Sequence, residues 1–313
     1  MGDGEKILFG IAAPQIHAEF PLDPKAAGAY IRRAEELGYH SLWVQEQTGF
    51  RGGAGALEAV TTLTYAAALT RRILLGNAVF LINFRNPVQL AKSLASLDQL
   101  SEGRLIVGVA LGPGGRAYAA YGISPQQRVA RFVEGLTLIK KLWTEENLTF
   151  EGKFWQVKNA TLLPPPAQRP HPPVWFGGNA PAALRRAVKL GSGFIAGGSA
   201  SLAEFRQGVE VLRRGLEDEK KDPAGFMIGK RVYLGVDKDS TRATERTRQW
   251  FELYYGNAER ADRVAVCGNV DECVEQLAAI IGAGARLLVL SPTFDTLDHL
   301  EILAEEIIPK FQR

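Results

Sequence analysis

Three consecutive polar side chains, Gln45, Glu46 and Gln47, follow the apolar run SLWV in the stretch SLWVQEQTGF, residues 41–50. A carboxylate there can take up or release a proton, whereas the flanking amides can only donate and accept hydrogen bonds. Other apolar runs along the chain end in small or amide residues. They are Pro14 and Gln15; Asn77, Ala78, Val79 and Phe80; Ala110, Leu111 and Gly112; Gly177, Gly178 and Asn179; Gly197 and Gly198; and Ser291. Glu46 is the one ionisable side chain in that set. Its plain structural alternative is an ion-paired or helix-capping loop carboxylate.

This inventory narrows the chemistry. His17, His40, His171 and His299 fall in no metal-ligand pattern, so a metal centre is not expected. A Schiff-base aldolase needs a lysine at a strand end, and a glycosidase needs two carboxylates on different strand ends. No serine stands in a nucleophile signature. What is left is a site rich in small residues, which lets a flat ligand approach the backbone and bring its own reactivity. In GGNAPAALRRA, residues 177–187, two glycines lead into a helix start whose free N–H groups favour an anion. Glycine turns of this kind also occur with nothing bound.

Short β-rich runs alternating with amphipathic segments must position these residues. Strands are expected at 6–12, 41–44, 73–80, 104–110, 173–178, 193–198, 227–236 and 286–292, each followed by at least one helix. Ser124 with Gln127 forms a capping-box pattern ahead of an apolar face made by Val129, Phe132, Val133, Leu136, Ile139 and Trp143. Residues 147–166 break the alternation as a hairpin insertion turning at Glu151-Gly152, with Pro164, Pro165 and Pro166 as a stiff exit. A closing helix is expected over 296–311. Strand–helix alternation forces parallel pairing with right-handed crossovers. Eight units in 313 residues suit a closed α/β barrel, the (β/α)8 TIM barrel, with small insertions and as a single domain over 1–313. An open doubly wound sheet is disfavoured because GIAAPQ, not GxGxxG, follows the first strand.

Composition is ordinary for a soluble globule, with 46% hydrophobic and 23% charged residues and a net charge of +3. The basic pairs fall on helix faces without interleaved aromatics, so no nucleic-acid partner is expected. The start MGDGEKILFG lacks the pattern of a signal peptide, and the run 73–82 is too short to span a bilayer. Cys267 and Cys273 are expected as free thiols, so the expected location is cytoplasmic.

The run TRRILLGNAVFLINFRNPVQLAKSLASLDQLSEGRLIVGVALG resembles the third-to-fourth-strand core of the bacterial luciferase-like superfamily. The likeness extends through GYHSLWVQEQ, PPVWFGGNAPAALRRAVKLGSGF and GNVDECVEQLAAIIGAGARLLVL, nearly the whole chain. Leu97-Asp98, Ser101 and Gly103-Arg104 are its most specific residues. The resemblance implies an oxidoreductase barrel using reduced FMN or the deazaflavin coenzyme F420, acting on a small organic substrate, assembled as a homodimer or higher.

Residue by residue, it implies a cis non-prolyl bond in a bulge at Asn77, Ala78 and Val79, against which the cofactor ring packs. The arginine that binds FMN phosphate at the end of the fourth strand is replaced by Leu111, beside Gly112. A second family arginine matches Arg128, and GG followed by LRRA and LGSGF looks more like the deazaflavin-dependent branch; Gly177, Gly178 and Asn179, the strand-to-helix turn, are the expected site of the anionic cofactor tail. The lost cation favours F420 over FMN. Glu46 matches a family acid, but Gln47 stands where a histidine is common, so either Glu46 takes the acid–base role or the reaction needs no protein base and draws its final proton from water. The alternatives are an FMN-dependent monooxygenase supplied by a partner flavin or deazaflavin reductase, and a flavin-binding relative that has lost catalysis. Arg51 in the 49–55 loop is read either as a cation for an acidic substrate or cofactor tail or as part of flexible filler, and Arg116, Tyr118 or Tyr121 in the 111–123 loop as candidates for the substrate pocket.

Overall fold

In the computed structural model, residues 6–17, 22–47, 55–112 and 116–312 are described. Arg51 and residues 113–115 lie outside them, as does the side chain of Arg116. Eight parallel strands form the centre: β1 (Leu8–Ala12), β2 (Ser41–Val44), β3 (Leu74–Asn77), β4 (Leu105–Ala110), β5 (Val174–Phe176), β6 (Gly193–Ala196), β7 (Met227–Val236) and β8 (Leu287–Pro292). Each pairs with its neighbour in chain order, and β8 pairs back onto β1, with Gly10 opposite Val289. The expected (β/α)8 barrel is therefore closed.

The helices between strands are α1 (Pro24–Glu36), α2 (Ala59–Leu69), α3 (Pro87–Leu100), α4 (Arg128–Thr144), α5 (Pro181–Leu190), α6 (Leu202–Asp218), α7 (Ser240–Tyr255) and α8 (Val270–Gly282). Local chemistry starts most of them. Asp23 caps α1, Glu58 caps α2, Asn86 caps α3 and Asp239 caps α7, each side chain accepting a first-turn N–H. Ser201 with Glu204, and Asn269 with Glu272, make reciprocal capping boxes at α6 and α8.

Four expectations need correcting. Ser124 makes no capping bond: its hydroxyl contacts Gln126, and a single 3₁₀ turn, Pro125–Gln127, precedes α4. Strand 73–80 is split by a bulge, after which Phe80–Leu81 rejoins β4 opposite Val109 and Ala110. The last helix is regular only over Thr296–Ile302, then widens into a π turn and tightens into a 3₁₀ turn. Pro309, which has no N–H to give the turn before it, sits at that change. Finally, Val266–Gly268 forms an extra parallel strand on the far end of β7, and Ile16–His17 pairs with Gly55–Ala56. Both are too short to carry a period.

The hairpin insertion is present as Leu148–Glu151 against Gln156–Ala160. Glu134 on α4 ties it down by accepting the backbone N–H groups of Lys153, Phe154 and Trp155.

Inside the barrel, Trp43 and Trp175 lie with ring centroids 5.4 Å apart and are buried with Ile106, Ile195, Leu287 and Val289. Space for these indoles comes from glycine. A Cβ on Gly76 would sit 2.5 Å from the Trp43 ring, and one on Gly193 would sit 2.8 Å from Trp175. The two rings plug the barrel, and Ala78 and Val79 pack against the cluster they belong to. Asp98 and Arg104, central to the family-like motif, belong to the supporting structure. Buried Asp98 accepts both the N–H and the side-chain amide of Gln168, while Arg104 binds the carbonyls of Ala67, Thr70, Ile73 and Ser101.

Candidate active site

The mouth at the strand C-termini holds two adjoining cavities of about 260 Å³ each. One is lined by Gln45, Glu46 and Gln47 from the end of β2, by Ala78 and Val79 from the bulge, and by Gly177, Gly178, Gly197 and Gly198. Ile195, Arg231, Tyr233, Tyr254 and Tyr255 complete its wall. The other lies between the ends of β1 and β8 and α7, and shares Arg231, Tyr233 and Tyr254 with the first. The fold thus gathers Gln45, Glu46, Gln47, Ala78, Val79, Gly177 and Gly178 around one space. The Ala78–Val79 peptide in the bulge is cis.

The other expected residues lie outside that lining. Asn77 is fully buried, and neither atom of its side-chain amide has a partner among the described residues. Leu111 and Arg128 form a second group joined by Asn83, whose amide donates to both of their carbonyls, at 3.4 and 3.0 Å. Gly112 stands beside them with a left-handed φ of 84°, and a Cβ there would press on Phe84 at 2.8 Å. The side chain of Arg128 is exposed, as is Asn179. Tyr118 is completely buried, donating to the Leu111 carbonyl at 2.8 Å, so it braces the loop and does not face a substrate.

Glu46 is held on both oxygens. Arg85 donates to one of them through Nε and Nη2, and the Leu81 N–H donates to the other. Arg85 also reaches Glu58, so the pair links β2 to the segment after the bulge and to the start of α2.

The glutamines form a network whose amide orientations are fixed by partners that can only donate. Gln15 accepts the Gln45 N–H at 2.8 Å and donates to the Gln45 carbonyl at 2.7 Å. Gln45 Oε1 accepts from Arg231, so its Nε2 must point the other way, to the hydroxyl of Tyr254. Gln47 Oε1 accepts the Ala56 N–H at 3.1 Å, so its Nε2 also donates to Tyr254, at 3.0 Å.

Arg231 was absent from the strand-end inventory, and with it Tyr233, Tyr254 and Tyr255. Hence Glu46 is not the only ionisable group at the mouth. Arg231 is 8% exposed and bonds to Ser291 Oγ at 2.8 Å as well as to Gln45. Its guanidinium lies 5.1 Å from the Tyr233 ring centre, and no carboxylate pairs with it among the described residues. Burial holds the Tyr233 phenol well above its usual range, and its hydroxyl lies 2.8 Å from that of Tyr255. The available signal was a lone arginine two residues before a tyrosine in the apolar run of β7, on the side-chain parity of Gly229.

The mouth suits a flat cofactor ring. A Cβ added at Gly197 would meet only Ser199 Oγ, at 3.7 Å, so open space stands above that backbone. Ala78, Val79 and Ile195 provide an apolar backing. At the edge, Ala180 precedes α5 and offers no side-chain cap; Pro181 has no N–H and Ala183 gives its own to the Ala180 carbonyl at 2.8 Å, so the first turn leaves the Ala182 N–H to face a ligand.

A closed parallel barrel with a glycine- and amide-lined mouth is the frame of an enzyme that takes its reactivity from a bound cofactor. The chain belongs to the luciferase-like monooxygenase family, whose model matches residues 7–287. An F420-dependent glucose-6-phosphate dehydrogenase from Amycolatopsis mediterranei is 28% identical over 92% of this chain and 95% of its own. One of the same description from Kineococcus radiotolerans is 30% identical over 82% of this chain and 78% of its own. Among solved structures, the monooxygenase RslO1 from Streptomyces bottropensis has a TM-score of 0.84 at 26% identity, covering 97% of this chain and 100% of its own. An F420-dependent secondary alcohol dehydrogenase, in complex with an F420-acetone adduct, shares the fold with a TM-score of 0.84 at 21% identity. It covers 98% of this chain and 99% of its own. Among the described residues, no helix is long and apolar enough to cross a membrane.

Proposed function

We propose that this chain is a coenzyme F420-dependent oxidoreductase that moves a hydride between the deazaflavin and a small organic substrate. The observation that carries this reading is the cavity bounded by the Ala78–Val79 bulge, Gly177, Gly178 and Gly197, with a second cavity for substrate opening beside it. When bound, the deazaflavin supplies a carbon that gives or takes two electrons with a proton, as a hydride. The protein supplies position. Ala78, Val79 and Ile195 back the ring, and the glycines let it approach the main chain. Gly178, Asn179 and the start of α5, with Arg128, hold the anionic tail. Leu111 and Gly112 form an uncharged wall where FMN-using relatives place an arginine, and this supports F420 over FMN. Asn77 supports the bulge. Glu46 and Gln47 enter as positioning residues: Glu46 is tied to Arg85 and Gln47 to Tyr254.

The alternative is an FMN-dependent monooxygenase fed by a partner reductase. Titrating the purified protein with F420 and with FMN, read by fluorescence, separates the two. Tight F420 binding is the expected result. FMN binding with oxygen consumption would favour the monooxygenase, and binding of neither would defeat both. A homodimeric, cytoplasmic enzyme is part of the proposal and rests on the family resemblance.

A further inference from the structure

We infer that Arg231 anchors a carboxylate, and that the substrate of this site is a small monocarboxylate whose apolar body lies in the cavity between β1, β8 and α7. The inference rests on the reading of that cavity as the substrate's, and it names the class of molecule that fills it.

The first argument is one of charge. Arg231 is 8% exposed, and its neighbours are neutral. Ser291 Oγ accepts from Nε at 2.8 Å, Gln45 Oε1 accepts from Nη1, and the Tyr233 ring centre lies 5.1 Å from the guanidinium. A guanidinium stays charged throughout the pH range of a folded protein, and taking it out of water without a counter-ion is costly. Arg85, near the same mouth, shows the usual remedy, because Glu46 and Glu58 both pair with it. No carboxylate does this for Arg231 among the described residues. The fold thus leaves one negative charge for a ligand to supply.

The hydrogen bonds say which kind of anion. Nη2 of Arg231 donates to nothing among the described residues. Ser291 spends its oxygen on Nε and gives its own O–H to no described group. Both residues line the cavity, so unspent donors face it from β7 and β8. A carboxylate is planar, carries two acceptor oxygens and no proton, and matches the edge of a guanidinium.

The remaining walls set the rest of the molecule. Arg231 is the one charged side chain among the described residues that line this cavity, and Ile16, Trp250, Leu253 and Pro292 give it apolar surface. The Trp250 ring is stacked on Tyr254 with centroids 4.8 Å apart, which holds a flat wall in place. One cation beside apolar walls suits a monoanion with an apolar body. A sugar phosphate would bring a second negative charge and many hydroxyls to walls that cannot satisfy them.

The test uses the full chain without cofactor and benzoate as the probe. Benzamide serves as its neutral isostere and glucose 6-phosphate as a dianion rich in hydroxyls, each titrated by calorimetry. Wild type should bind benzoate at least tenfold more tightly than either of the others. Arg231→Gln should weaken benzoate at least tenfold and benzamide less than threefold, and Arg231→Lys, which keeps the charge but not the fork, should recover part of the loss. Leu253 lines this cavity and not the one assigned to the cofactor, and it is 45% exposed, so the fold tolerates a larger side chain there. Leu253→Trp should weaken benzoate about tenfold and leave F420 affinity within twofold. Should Arg231→Gln fail to fold, the wild-type preference and Leu253→Trp still decide. The inference is overturned by equal affinity for benzoate and benzamide, by tighter binding of glucose 6-phosphate than of benzoate, or by an Arg231→Gln variant that keeps the preference. Wild-type protein that shows the preference but binds no F420 upholds the carboxylate anchor and removes the cofactor reading. Protein that binds F420 without preferring benzoate does the reverse.

Discussion

Glu46 and Arg85 are joined by a two-nitrogen contact on one carboxylate oxygen, and the second oxygen takes the Leu81 N–H from just beyond the bulge. Their side chains are 10% and 24% exposed, so the pair is largely shielded from water. Glu46→Gln keeps the shape and removes the charge. It should lower stability by about 1–3 kcal/mol, the range for a hydrogen-bonded charge left without its partner. Urea titration measures this, and an unchanged midpoint would show that the pair does not hold the bulge.

Gly197 offers a sharper probe of the cofactor cavity. Its backbone has an ordinary φ and open space on the Cβ side, so a larger side chain costs the fold little. Gly197→Val should leave the thermal midpoint within a few degrees and weaken F420 binding about tenfold or more by filling the ring space. Equal affinity for wild type and variant would place the ring elsewhere.

Arg128 begins α4 with an exposed side chain, and its carbonyl shares the Asn83 amide with that of Leu111. If it meets the anionic tail of the cofactor, Arg128→Ala should weaken binding about tenfold at low salt, with the loss shrinking as salt screens the contact. Affinity unaltered at every ionic strength would remove Arg128 from the site.

Lys230, beside Arg231 on β7, is 1% exposed and donates to the Ala200 carbonyl at 2.7 Å, anchoring the loop that follows Gly197 and Gly198. Burial pushes its ammonium down to about 8, against about 10.4 in the unfolded chain. Between these values the unfolded chain binds more protons than the folded one, so this group makes stability rise with pH. The gain is on the order of 3 kcal/mol across pH 8 to 10.4. Denaturation of wild type and Lys230→Met at pH 7 and pH 10 should show the wild type improving relative to the variant. A constant difference would mean that Lys230 titrates normally.

By itself, the sequence determined the barrel and the place of its mouth. Apolar periodicity, caps such as Asn86 and glycine stops are local signals that survive without neighbours, and eight alternations close only one way. The same signals put Gln45, Glu46 and Gln47 at a strand end, and the resemblance located the bulge at Ala78 and Val79. Only the tertiary structure decided what those side chains do. Glu46 meets Arg85 across 39 positions, Gln45 meets Arg231 across 186 and Tyr254 across 209. Hydrogen-bond orientation depends on which donor or acceptor stands opposite, and that is set by barrel closure rather than by spacing along the chain. Arg231 and Tyr254 were hidden for the same reason. An arginine inside an apolar strand and a tyrosine at a helix end acquire a role only when β7 and α7 bring them to the same amide.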